Sequence, residues 1–348
     1  MTARVRTPLI LLLTIGLFAF FLRNADLAGV WAEVRHADAA LIGLATALTF
    51  STYVLRAWRW QYLLRPLGTA RFGQALRATI IGFAASFLLP ARAGEIIRPY
   101  LLARRERLSV TATFATVVLE RLLDLVTVLL LFGALLLFFD PGLAAADPRT
   151  FAAVRVGAMA AAVAALAGLA VLTALAGHPD RLERGAGRLA RWLPARFAAA
   201  LARLVGRFVE GMAVLRRPAE LVRALAISVP LWLSIAAGIW LTARAFQITF
   251  PYTGSFLVVV LLVVGVAVPT PGAIGGFHAA FRIAVTGFFG ASEEQAVGAA
   301  LVLHAVSFVP VTLVGIALMA HEGLTLGGMQ RMARDPAPSG VSSSEVGL

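Results

Sequence analysis

Three charged side chains follow a proline that interrupts one of the most apolar stretches of the chain. Residues 87–100 read FLLPARAGEIIRPY, in which Arg92, Glu95 and Arg98 come soon after Pro90. A helix that restarts after the proline exposes unpaired N–H groups at its N-terminus, and these attract anions. The forked guanidinium of Arg92 suits phosphate, whereas Glu95 can orient either arginine. The stretch predicts an anion-binding site or, as the alternative, an internal Glu–Arg pair that only fixes the turn.

A second group of charges lies within the next long apolar segment. Glu120 and Asp124 are four residues apart, so they share one helix face, and Arg121 lies between them. A charge at the centre of a bilayer costs at least ~2.5–3.5 kcal/mol, which makes such residues functional candidates. Two interpretations stay open. The paired carboxylates carry a proton or cation for coupling, or Arg121 neutralises one of them near the membrane surface.

A turn rich in proline and glycine occurs in the second half of the chain, in VPTPGAIGGFHAAF. Because prolines precede them, Gly272, Gly275 and Gly276 predict an open turn with exposed backbone amides rather than a packed helix. His278 and Arg282 follow, four residues apart on one helix face. We expect these five residues to contribute to substrate binding together with the residues after Pro90.

One histidine lies at a comparable distance beyond this turn. His304 follows Pro271 by 33 residues, much as Glu120 follows Pro90 by 30. Its position therefore groups it with Glu120, Arg121 and Asp124 as a candidate for coupling or charge balance. The alternative is a hydrogen-bonded packing residue, which is the more common role of a single histidine in a helix.

The composition defines the class of protein. Of the 348 residues 60% are hydrophobic, only 14% are charged, and the mean hydropathy is +0.86. The net charge is +13, and all the basic residues are arginines. These arginines fall between apolar segments, which indicates the positive-inside rule rather than nucleic-acid binding. With no cysteine, no cluster of metal-ligand spacing and no nucleotide-binding motif, we expect no metal or other cofactor.

Apolar runs of about 18–20 residues can cross a bilayer as helices. We expect an all-α polytopic membrane protein with six full spans, the first of them uncleaved, at about 8–22, 39–63, 110–139, 151–176, 221–243 and 298–320. Arg56 and Arg59, near the end of the second span, are expected to extend their side chains to the membrane surface. We expect the protein to lie in the inner (plasma) membrane of the cell. The arginine-rich loops predict that both chain termini are on the cytoplasmic side.

Two shorter apolar pairs remain, and both are broken by proline and glycine. Residues 74–89 lead to Pro90 and then to a basic loop at 103–109, while 252–268 and 277–290 flank the second turn. A hairpin that enters the membrane and returns explains each pair without moving the basic loop outside. We therefore expect two re-entrant hairpins, the first entering from the cytoplasm and the second from outside. Eight or more crossing helices are the alternative.

The halves of about 1–145 and 146–325 repeat the same order: two spans, a hairpin and a third span. Pro90 and Gly94 stand four apart, as do Pro271 and Gly275, at an offset of 181 residues. Such a pair of interrupted segments in corresponding halves is typical of inverted-repeat transporters.

We expect the segment 177–220 to be amphipathic and to lie on the cytoplasmic leaflet or dock on the bundle. The tail 326–348 is expected to be disordered.

Three motifs resemble those of the flippase-like family that includes the membrane region of lysylphosphatidylglycerol synthases. They are LLPARAGEIIRPYLL, VVLERLLDLV and VPTPGAIGGFHAAF, and the resemblance covers about 1–325. It implies an integral membrane protein that translocates anionic or aminoacylated lipids between leaflets. Because the 348 residues include no soluble aminoacyl-transferase domain, we expect no synthase activity.

These observations lead to one functional prediction and two alternatives. The prediction is a transporter, not an enzyme, that flips a phospholipid or a lipid-linked intermediate. One alternative is a membrane-embedded transferase that acts on lipid-linked substrates and uses Glu95, Glu120, Asp124 and His278 as acid–base groups. The other is a non-catalytic partner of an enzyme of the cell envelope.

Overall fold

The chain folds into helices throughout the part that the structure, a computed structural model, describes. The described residues are 16, 18–19, 21–22, 25–89, 92–138, 148–177, 206–208, 210–267, 270–325 and 327. Their α-helices are α1 Leu27–His36, α2 Ala39–Leu64, α3 Phe72–Leu88, α4 Gly94–Glu106, α5 Val110–Phe138, α6 Pro148–Gly177, α7 Pro218–Ala245, α8 Ser255–Ala267, α9 Gly276–Phe289 and α10 Glu293–His321. The expected all-helical architecture is confirmed for this part of the chain.

Four of the described helices are long and apolar enough to cross a membrane. They are α2, α5, α10 and Ala219–Ala245 of α7, each of 26–29 residues. At 1.5 Å per residue such helices exceed the ~30 Å hydrocarbon core. Shorter apolar helices accompany them, among them α3 and residues 252–267. The protein is therefore a multi-pass membrane protein, and these spans start and end within a few residues of the predicted bounds.

Each of the two interrupted apolar segments forms a pair of packed helices. Helices α3 and α4 lie against each other, as do α8 and α9. Both pairs approach most closely at glycines. A side chain on Gly94 would overlap the carbonyl oxygen of Gly82, and one on Gly265 would overlap that of Gly276. Glycine is required at these crossings because any Cβ atom would force the two backbones apart.

The turns of the two helix pairs touch each other. Phe87, at the end of α3, lies where a side chain on Gly272 of the second turn would be. Arg92, in the first turn, donates a 2.5 Å hydrogen bond from Nη2 to the carbonyl oxygen of Val266 in α8. Arg92 and Ala273 both adopt positive φ values, 52° and 56°, which cost a non-glycine residue roughly 1–2 kcal/mol. Pro90 and Pro269 lie outside the described residues.

The remaining packing joins the two halves of the chain. Helix α2 runs along α7, while α3 packs against α10 and α8 packs against α5. One apolar core is formed mainly by α7–α10, and a second by α2–α5 with the end of α10. This arrangement brings parts of α2, α5, α7, α8 and α10 and the turn before α4 around one central space.

Three sequence predictions fall wholly or partly on residues outside the described part. Most of the first span, 8–22, is among them, although Phe21 is described and fully buried. The tail 326–348 lies outside except for residue 327. Of the segment 177–220, the described end docks on the bundle. Met212 and Val214 are buried, and Gly211 lies against the backbone of Ala112.

Candidate functional site

Glu120, in the middle of α5, is completely buried between two arginines. Arg59 Nη2 donates to its Oε1 at 3.0 Å, and Arg98 Nη1 lies 3.0 Å from its Oε2. The Arg98 guanidinium also lies over the Trp60 ring, 3.9 Å from the centroid, where the cation–π attraction adds to the ion pair. All four side chains are buried, and the two ion pairs of Glu120 link α2, α4 and α5.

Asp124, one turn later, faces the same arginine from the other side. Arg59 Nη1 donates to its Oδ1 at 2.7 Å and to the hydroxyl oxygen of Ser228 at 2.7 Å. Trp232 Nε1 donates to the same Oδ1 at 3.0 Å. These bonds have the short lengths typical of charge-assisted pairs. We call Arg59, Arg98, Glu120 and Asp124 the inner network; its two positive and two negative charges balance.

The prediction that Arg56 and Arg59 reach the membrane surface is wrong. Arg59 is fully buried and Arg56 is 7% exposed. Arg56 and Arg59 are three residues apart in α2, which is close to the four-residue spacing of Glu120 and Asp124 in α5. Both guanidiniums therefore turn inward and pair with these carboxylates. Burying the two arginines together with the two carboxylates costs less free energy than burying the carboxylates unpaired among apolar helices.

Three further arginines surround the inner network, and we call Arg56, Arg92 and Arg121 the cavity arginines. Their ion pairs are longer than those of the inner network. Arg56 Nη1 and Arg121 Nη1 are each 3.5 Å from Asp124 Oδ2. Arg121 Nε and Arg92 Nη1 lie 3.6 and 3.8 Å from Glu95 Oε1. These carboxylates therefore hold the three guanidiniums near one another without saturating their donors.

The cavity arginines face a central cavity of about 420 Å³. Its polar wall comes from α2, α5 and the turn before α4, and includes Tyr53 and Asp124 besides the three arginines. The lining residues from the second half of the chain are almost entirely apolar; they include Trp232, Ile235, Ile239, Val259, Leu262, Val263, Val266, Phe277, Leu303, Val306 and Phe308. A molecule with a polar head and an apolar body fits such a cavity.

The glycine turn does not have the open geometry that the sequence predicted. Gly272, Gly275 and Gly276 are buried, and none of them lines the central cavity. The Gly272 carbonyl accepts a 2.7 Å hydrogen bond from His304 Nε2, and the Gly275 N–H donates to His278 Nδ1 at 3.4 Å. The prediction of exposed amides is wrong because both histidines and Phe87 cover the turn.

His278 and His304 stack on each other beside this turn, 4.6 Å between ring centroids. Aromatic rings from several elements surround them, namely Phe18, Phe21, Phe87, Phe277 and Phe308. Arg282, one turn beyond His278, donates to the Phe21 carbonyl at 2.9 Å and lies 3.6 Å from Glu293. These three residues connect the turn to the N-terminal segment rather than to the central cavity.

Of the predicted site residues, the structure brings Arg92, Arg121 and Asp124 to the central cavity. Glu95 supports two of the cavity arginines, and Arg98 and Glu120 lie in the inner network. The sequence reasoning missed Arg56 as a lining residue, together with Tyr53, Phe83 and Trp232. For Arg56 and Arg59 a signal existed, since their spacing is complementary to the two carboxylates of α5.

The helices and this cavity define a polytopic membrane protein with a charged site enclosed by its spans. A match to the family described as the lysylphosphatidylglycerol synthase TM region covers residues 9–315. The chain belongs to this family, as its motifs predicted.

A curated relative comes from Haloferax volcanii. The chain is 32% identical over 136 residues to the protein named Glycosyltransferase AglD. The similar region covers 39% of this chain and 22% of that protein, so the chain spans about a fifth of its length.

Proposed function

We propose that the protein moves an anionic or aminoacylated lipid, or a lipid-linked intermediate, from one leaflet of the membrane to the other. The head group would pass through the central cavity along the cavity arginines, while the acyl chains stay next to the apolar wall and the surrounding lipid. Family membership supports this assignment in general terms. The charge of the cavity supports it in particular.

The observation that carries the proposal is an excess of positive charge at the central cavity. The inner network is neutral, whereas the three cavity arginines add three positive charges and Glu95, which lies near Arg92 and Arg121, adds one negative charge. Two positive charges therefore remain uncompensated within the described charge cluster. A bound anion would compensate this surplus charge and so stabilise the site.

We further propose that the fold is an inverted repeat with two re-entrant hairpins. Helices α5 and α10 both have 29 residues, and the order long helix, helix pair, long helix occurs in α2–α5 and again in α7–α10. The positive φ values of Arg92 and Ala273 lie 181 residues apart, at the offset of the two P-x-x-x-G motifs. In such folds the substrate site lies where the two interrupted segments meet, near the bilayer midplane.

The test is head-group translocation in vesicles that contain the purified protein. A fluorescent phosphatidylglycerol is placed in both leaflets, and a membrane-impermeant quencher reports how fast the inner pool reaches the outside. Wild type is expected to accelerate this exchange, and Arg92→Ala is expected to reduce the rate at least about tenfold because the anion loses a direct partner.

Arg223→Gln is the matched control, because Arg223 is half-exposed, pairs with Glu220 and lies away from the cavity. It is expected to keep the wild-type rate. Normal transport by a folded Arg92→Ala variant would contradict the proposed site.

A second candidate function has one observation in its favour, namely the glycosyltransferase name of the Haloferax volcanii relative. Under this alternative the cavity would hold a lipid-linked substrate during group transfer. Incubation of purified protein with lipid-linked substrates, followed by mass spectrometry of the lipids, separates the two: a change in lipid mass indicates a transferase, and translocation without a change in mass indicates a transporter.

A further inference from the structure

The number of uncompensated charges also bears on the chemical class of the substrate. We propose that this site takes a lipid whose phosphate carries two negative charges, that is, a phosphomonoester or a diphosphate, in preference to a singly charged phosphodiester. The inference rests on the proposed function and narrows its substrate.

The first argument is the charge count around the cavity. Arg59 and Arg98 are matched by Glu120 and Asp124, and their contacts of 2.7–3.0 Å include both carboxylates. Glu95 is the one carboxylate of the cluster that remains; Arg92 and Arg121 lie near it, and Arg56 pairs only with Asp124. A phosphodiester would compensate one of the two surplus charges, whereas a dianion compensates both.

The second argument is the unsaturated bonding of the cavity arginines. Their contacts with Asp124 and Glu95 are 3.5–3.8 Å long, well beyond the 2.7–2.9 Å of a charge-assisted hydrogen bond. Arg121 Nε is buried and has no hydrogen-bond partner. Each guanidinium has five N–H donors, so the group offers many more donors than these carboxylates use.

The third argument is the arrangement of the guanidiniums. Arg56 and Arg121 approach the same oxygen of Asp124, and Arg121 and Arg92 approach the same oxygen of Glu95. Arg121 therefore lies between Arg56 and Arg92, and the three guanidiniums form an arc that one ligand can contact. The described lining residues from the second half of the chain, which include Ser234 and Ser307, carry no charge. An arc of several guanidiniums is suited to a phosphate with three terminal oxygens or to two linked phosphates.

Equilibrium binding of two lipids with identical tails tests this inference. The probes are dioleoyl phosphatidic acid, a phosphomonoester, and dioleoyl phosphatidylglycerol, a phosphodiester, each added to the purified full chain in neutral detergent and counted by native mass spectrometry. At about pH 8 phosphatidic acid is expected to bind at least about tenfold more tightly. At about pH 5 the preference is expected to shrink, because a phosphomonoester loses its second charge with a pKa of about 6. Phosphatidylglycerol keeps one charge throughout and reports any change in the protein itself.

Variants locate the preference in the cavity. Arg121→Gln lowers the surplus to one charge and is expected to remove most of the preference, while Arg223→Gln keeps it; circular dichroism confirms that both are folded. Equal binding of the two lipids by wild type, or tighter binding of phosphatidylglycerol, would overturn the inference and leave the proposed transport of anionic lipids intact. Binding of neither lipid would contradict the proposed function, and the inference with it.

Discussion

At the scale of single residues, the arginines around α5 fall into two groups with different roles. Those of the inner network make short bonds in a balanced, buried set, which is the pattern of a structural junction. The cavity arginines make only long ion pairs, although Arg92 also donates to the Val266 carbonyl, and their remaining donors are available to a ligand. We therefore expect Glu120 to act as a structural residue, which favours charge balance over proton coupling as its role.

Glu120→Gln tests the structural role. The change leaves Arg59 and Arg98 buried without their shared counter-charge, and loss of one partner of a buried pair costs about 3–5 kcal/mol. We expect a large drop in the thermal unfolding temperature in detergent.

Arg71→Gln serves as the comparison, because Arg71 is 74% exposed and its pair with Glu106 is worth at most about 1 kcal/mol. A Glu120→Gln protein as stable as Arg71→Gln would show that the inner network does not hold the helices together.

At the scale of elements, glycine decides how closely the helices of each pair approach. Gly82 and Gly94 bring α3 and α4 into backbone contact, and Gly265 and Gly276 do the same for α8 and α9. These contacts fix the direction in which α4 leaves the turn, and thereby the position of Arg92 at the cavity. The sequence predicted both helix pairs from their apolar length and their P-x-x-x-G breaks.

The details of the turns could not be predicted in the same way. Whether the amides of the second turn are open depends on Phe87, which comes from the other helix pair. Likewise, whether Arg59 points to the surface or inward depends on Asp124, 65 residues away in the chain. A pattern within one helix carries no information about such distant partners, so the pairing of charges had to come from the structure.

Gly94→Ala tests the close approach. Its methyl group would overlap the Gly82 carbonyl, so we expect a loss of about 2 kcal/mol or more in the free energy of unfolding.

Gly133→Ala is the control, because nothing lies within 4 Å of a Cβ at this position in α5. Alanine favours helix there, which predicts unchanged or slightly higher stability in the same denaturation experiment. Equal effects of the two changes would contradict the packing described for α3 and α4.

At the scale of the whole molecule, the two halves that the proposed repeat relates differ in the chemistry they bring to the cavity. Arg121 is the twelfth residue of α5, and His304 is the twelfth of α10; Asp124 and Ser307 are likewise the fifteenth of each. The first half thus supplies the charged wall of the cavity, and the second half supplies the apolar wall. Such a division would let one cavity hold both the head group and the adjoining apolar part of a lipid.

The absence of cysteine from the chain permits a direct test that this cavity is the route of transport. Ser307 lines the cavity, so a Ser307→Cys variant carries a thiol there. We expect this variant to translocate fluorescent phosphatidylglycerol in vesicles before modification and to stop once a bulky thiol reagent has reacted. The reagent should leave the cysteine-free wild type unaffected. Transport that continues at the same rate after complete modification of Ser307→Cys would contradict the account.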